Sequence, residues 1–199
     1  MTKPGMIVLS ILVSCLLSAC SKNADPLPPP KPEVEKGTDT AAKEPVKTPQ
    51  TNSTQAVAAK KELVAYSNLA KSLLESSKAT KGPQVVGVLA EELVSIGERI
   101  ASAFSKKHAG CRAYLGALLA ASKKLTSLSL DAIERDYHAD GKLPKSPDDK
   151  CYHAKDLVVH PATVVILSRQ GLTGKEQRDK ATGEIAEVLA HLSDVERHL

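Results

Sequence analysis

Two stretches near the C-terminus repeat one arrangement of metal-ligating side chains. His153, Asp156 and His160 follow one another at steps of three and four residues, and His191, Asp194 and His198 do the same. An α-helix turns once in about 3.6 residues, so each set puts two imidazoles and a carboxylate on one face over two turns. Imidazole and carboxylate are the ligands that suit zinc and similar divalent ions. If the stretches are antiparallel helices joined by a turn near Gly171 to Gly174, His153 lies level with His191 and Asp194. A site combining His153 and His191 with Asp156 or Asp194 follows, with His160 and His198 as further candidate ligands. The same spacing also describes a solvated helix face, and His160 before Pro161 also suits a helix cap. Of the remaining histidines, His108 reads as a helix-end residue and His138 as a loop residue between Asp136 and Asp140.

Other chemistry has less support. The sequence contains no Cys-x-x-Cys-His haem attachment, no His-Glu-x-x-His, no Gly-x-Ser-x-Gly and no phosphate-binding glycine loop. The only methionines, Met1 and Met6, lie in the apolar N-terminal segment. Glu91-Glu92 and Asp148-Asp149 are adjacent pairs, which point away from each other on a helix. Aromatic residues make up 3% of the chain and tryptophan is missing, which removes the stacking platform that sugar and base sites use. The net charge of +4 is mild and forms no basic stripe interleaved with aromatics, so nucleic acid is not an expected partner.

The elements that must position the histidines are helices. Leu63, Tyr66, Ala70, Leu73 and Leu74 share one face of a segment from about Thr54 to Lys78. After the Lys81-Gly82-Pro83 break, Pro83 suits a first helical turn. Val86, Leu89, Leu93, Ile96, Ile100 and Ala103 continue at three- and four-residue steps until Gly110, with Lys106, Lys107 and His108 near the negative end of the helix dipole. A third helix is expected from about Cys111 through Leu128 and toward Tyr137, followed by a loop at Asp140 to Pro147. Cys151 to Arg169 contains the β-branched run Leu157 to Leu167, readable as a strand, but its length and the Val158, Ala162, Val165 spacing favour a helix. Pro161 is expected to kink or restart that helix, because it cannot bond the Leu157 carbonyl. Ile185, Val188, Leu189, Leu192 and Val195 form the apolar side of a last helix from about Lys175 to His198. The expectation is an all-α domain over 54–199, an antiparallel bundle of four or five helices.

The N-terminus assigns the compartment. Lys3 precedes an apolar stretch from Met6 to Leu17, about a dozen residues and too short to span a bilayer comfortably. It runs into Leu17-Ser18-Ala19-Cys20, which resembles the lipobox of bacterial lipoproteins. The resemblance implies a signal peptide at 1–19 and lipid, diacylglycerol and palmitate, on Cys20. With Ser21 rather than aspartate after that cysteine, it also implies the outer membrane of the cell envelope. Residues 20–53 read as a tether: they hold seven of the 12 prolines, balance five lysines against five acids, and offer almost no large apolar side chains. Fully stretched at about 3.1 Å per residue, the tether would reach at most about 100 Å from the membrane.

In the oxidising compartment that the lipobox implies, Cys15 leaves with the signal and Cys20 is acylated. Cys111 and Cys151 are then the two remaining thiols, and they are expected to pair. Three readings of the body stay open. One is a tethered binding or structural module that contacts an envelope protein or the wall. A second is a periplasmic metal- or haem-binding bundle using His153/His160 and His191/His198. The third is an enzyme assembled only by the tertiary fold, which the missing catalytic motifs disfavour.

Overall fold

The computed structural model describes residues 50–199, with side chains from Val57 onward. The leader, Cys20 and all but the end of the tether lie outside the described residues. The described chain is all-helical: α1 (Gln50–Lys78), α2 (Pro83–Lys107), α3 (Arg112–Leu125), α4 (Leu130–Ile133), α5 (Asp149–Arg169) and α6 (Lys175–His198). They pack as an antiparallel bundle, and Cys111 and Cys151 are bonded, with Cα atoms 5.3 Å apart. No described helix is long and apolar enough to cross a membrane.

The amphipathic stripes produce the outer helices. Ala59, Leu63, Tyr66, Ala70 and Leu73 of α1 are buried at alternating four- and three-residue steps. Pro83 opens α2 within its first turn, and the His108 amide closes it on the Phe104 carbonyl. The third helix is shorter than its apolar periodicity suggests. It ends at Leu125, and α4 restarts behind Ser129, whose hydroxyl accepts the Ala132 amide as an N-cap. Glu134–His138 then winds as a wider π-helical turn.

Helix α5 is the axis of the domain and packs against α2, α3, α4 and α6. Every residue from Ala154 to Ser168 is buried, so the segment that reads ambiguously in sequence is a helix with no solvent face. It starts on Asp148, which accepts the Lys150 amide. It runs through Pro161 without a break. The Leu157 carbonyl, which a proline at 161 cannot reach with an N–H, instead accepts the Tyr66 hydroxyl of α1 at 2.7 Å. Burial and the charge of Asp156 push the Tyr66 phenol well up, so it stays a donor. At the same level α2 comes so close that a Cβ on Gly97 would lie 2.2 Å from the Leu157 oxygen.

Candidate metal centre

Because α5 is enclosed from Ala154 to Ser168, the polar residues of that stretch are buried whatever their chemistry. Lys155, Asp156, His160 and Thr163 all lie inside the domain. Helix α6 runs antiparallel beside it and presents Glu184, Glu187, His191 and Asp194, themselves at three- and four-residue steps. The two polar stripes meet along the α5–α6 seam and, with His138 from the π-helical turn, form a row of four imidazoles and several carboxylates.

The outer part of the row contains His153, Asp156 and His191, each offering one ligand atom with all three within 4.8 Å of one another. The His153 and His191 rings stack with centroids 4.7 Å apart. His191 Nε2 lies 3.5 Å from Asp156 Oδ2. In a tetrahedral site with bonds of about 2.0–2.1 Å, neighbouring ligand atoms are about 3.3 Å apart, so modest side-chain rotations would close the triad on an ion. Three protein ligands leave a fourth position open. His153 and His191 are both about a quarter exposed, at 24% and 23% of their side-chain surface, which gives an ion a way in.

Asp156 is the unusual member. Its side chain is 1% exposed, and neither carboxylate oxygen accepts a hydrogen bond. The buried Nδ1 of His153 is also without a partner. Lys155 Nζ stands 3.1 Å from Asp156 Oδ1 and offsets its charge, but its protons point elsewhere. They go to the carbonyls of Tyr137 and His138, each at 3.1 Å, and to Asp140 Oδ1 at 3.3 Å. Asp140 sits at a positive φ of 58°, a conformation that aspartate tolerates better than most residues, and its carboxylate also accepts the Tyr114 hydroxyl. Lys155 thus binds the carbonyl end of the π-helical turn to α5, and Asp156 is left without a hydrogen bond, its Oδ2 toward His191 and its Oδ1 between Lys155 and His160.

The inner part of the row is built around His160. Its Nδ1 donates to Glu184 Oε2 at 2.7 Å, and its ring meets the His138 ring edge-on with centroids 4.7 Å apart. His138 Nε2 donates to Thr163 Oγ1 at 3.0 Å and lies 3.5 Å from the same Glu184 oxygen. His160 stacks at 5.7 Å on His191, which makes the row continuous. Burial holds His138 and His191 below the ordinary imidazole range against the opposing pull of Glu184 and Asp156, respectively. Each therefore keeps a ring lone pair near neutral pH, the form in which imidazole binds metal.

The structure distributes the six candidate ligands unevenly. It brings His153, Asp156 and His191 together and sets Asp194 at their rim, 3.7 Å from His153 Nε2 and paired with Arg197. His160 turns to Glu184. His198 lies apart at the end of α6, where its ring donates to the Asp194 carbonyl and its own carbonyl accepts from His108. Glu184 and Lys155 escaped the sequence reading, and His138, expected as a loop residue, instead ends the π-helical turn and faces Thr163 and His160. Glu184 could have been found seven residues before His191, on the same face. His138 could not, because the π-helical turn that directs it inward has no signature in the spacing. Comparison with protein families, with curated proteins and with solved structures finds no match for this chain.

Proposed function

We propose that this protein is a lipid-anchored envelope protein whose helical bundle binds a divalent metal ion through His153, Asp156 and His191. The observation that carries the metal reading is Asp156: a buried carboxylate that accepts no hydrogen bond and has only the Lys155 ammonium to offset its charge is costly, and a cation held between it and two imidazoles lowers that cost. Stacked imidazoles suit a single ion better than a porphyrin between them. The anchor rests on the lipobox at Cys20 and is supported by the Cys111–Cys151 bond, which belongs to an oxidising compartment.

The test of the metal reading is calorimetric titration of the mature chain with zinc, cobalt, nickel or copper ions. Saturable binding tighter than millimolar is expected, lost in Asp156→Asn, which keeps the shape of the side chain and removes its charge. Heat that does not saturate, or an unchanged isotherm in the variant, refutes the reading. For the anchor, mass spectrometry of the protein from membranes is expected to show a mature chain beginning at an acylated Cys20. An intact leader or an unmodified terminus refutes it.

A second reading, a tethered module contacting an envelope protein or the wall, draws on an open groove of about 810 Å³ between α1, α2 and the C-terminus. Ala58, Glu62, Arg99, Lys107 and Leu199 line it, mixing apolar floor with charge as contact surfaces do. Crosslinking in intact cells tests it, and recovery of monomer alone counts against it.

A further inference from the structure

We propose that the inner part of the row is a second divalent-cation site, formed by His138, His160 and Glu184, so that the α5–α6 seam takes two ions. The three residues come from three separate elements, the π-helical turn after α4, α5 and α6. Each offers one ligand atom, with all three within 4.8 Å of one another. The side chains of His160 and Glu184 are only 5% and 10% exposed. Glu184 divides its oxygens: Oε1 faces Lys180 at 3.8 Å, and Oε2 alone faces both imidazoles. A single oxygen aimed at two ring nitrogens is the arrangement of a carboxylate ligand between two histidine ligands.

The protons are accounted for by the surrounding groups. Without an ion, the metal-facing nitrogens, Nδ1 of His160 and Nε2 of His138, carry the protons donated to Glu184 and Thr163. Binding an ion requires each lone pair, so each ring gives up that proton to water, and the proton that a metal-bound imidazole keeps sits on its other nitrogen. In His160 that nitrogen is Nε2, which faces Glu187 Oε2 at 3.7 Å and Asp156 Oδ1 at 3.9 Å. Filling the inner site therefore turns an N–H toward one of the unfilled oxygens of Asp156. A histidine that binds metal through one nitrogen and donates to a carboxylate through the other has its ring orientation and tautomer set by that partner. The π-helical turn fits this role, since such turns occur often at functional sites.

Equilibrium dialysis of the mature chain against zinc, followed by metal analysis, tests the proposal. Two ions per chain are expected, falling to one in His138→Ala and to one in Glu184→Gln, with helicity checked for each variant. The pair His153→Ala with His191→Ala should also leave one ion, the inner one. A wild-type chain that binds a single ion insensitive to the changes at 138 and 184 overturns the second site and leaves the outer one standing. A single ion lost in those variants but unaffected at 153 and 191 does the reverse. A chain that binds none overturns both. Nitrogen-15 spectra of the unaltered protein avoid any folding defect in the variants. Saturating zinc should move the His160 proton from Nδ1 to Nε2, and an unmoved proton overturns the inner site.

Discussion

Replacing Tyr66 by Phe removes one hydroxyl from the centre of the bundle and leaves the ring in place. That hydroxyl is the donor to the Leu157 carbonyl at 2.7 Å, and the ring is fully buried, so water cannot replace it. The carbonyl loses its partner because Pro161 has no N–H to return. An unsatisfied buried group costs about 1–3 kcal/mol, which at about 3 °C per kcal/mol for a domain of this size lowers Tm by roughly 3–9 °C. The mechanism makes a stricter claim than the loss alone. In a Pro161→Ala background the alanine amide can reach the Leu157 carbonyl through the ordinary helical bond, so the further change Tyr66→Phe should cost less than about 0.5 kcal/mol. Urea unfolding of the four chains of this cycle, followed by far-ultraviolet circular dichroism, measures the coupling, expected at about 1 kcal/mol or more. Equal costs in the two backgrounds would show that Tyr66 does not stand in for the missing helical bond, and a neutral Tyr66→Phe would show that the carbonyl needs no partner.

Removing the disulfide by Cys111→Ala with Cys151→Ala should lower the unfolding free energy by about 3–4 kcal/mol, from chain entropy for a separation of 40 residues, as read by urea denaturation. Gly97→Ala should destabilise by about 1–3 kcal/mol or more, since its Cβ meets the Leu157 backbone at 2.2 Å. Gly183→Ala in α6, where an added Cβ meets nothing within 4 Å, should instead stabilise by about 0.5–1 kcal/mol, and thermal melts separate the two signs. Asp148→Ala should cost about 1 kcal/mol at pH 7 through loss of the α5 cap. The hydrogen bond from Lys150 holds the Asp148 carboxyl below its usual range. The unfolded chain therefore takes up this proton first as pH falls, and the advantage of wild type over the variant should be full above pH ~4 and shrink below it. Urea midpoints for both proteins between pH 7 and pH 3 check this, and a difference independent of pH would contradict it.

Sequence periodicity carried much of the architecture because it reports which residues share a helix face. It was enough to mark the apolar stripes of α1, α2 and α6 and to line up His153 with His191, leaving Asp156 or Asp194 as the third ligand, while the pairing of Cys111 with Cys151 came from the cysteine count in the compartment that the lipobox implies. It was weaker where a helix lacks a solvent face. The segment from Leu157 to Leu167 has no stripe to read, and its helical state is decided by enclosure among α2, α3, α4 and α6. Local spacing also could not show that Tyr66, 91 residues away, completes the bond that Pro161 breaks.

The histidines show the same division most clearly. His160 and His198 occupy equivalent positions in two identical spacings, yet one is buried against Glu184 and the other lies exposed at a helix end. Antiparallel packing sets this: moving toward the C-terminus of α5 means moving toward the N-terminus of α6, so His160 meets Glu184 while His198 runs past the level of His153. The residue types and their faces were properties of the chain alone. Which carboxylate faces which imidazole, and which charges are cut off from water, were decided only when the helices packed, because burial and register belong to pairs of elements distant in sequence.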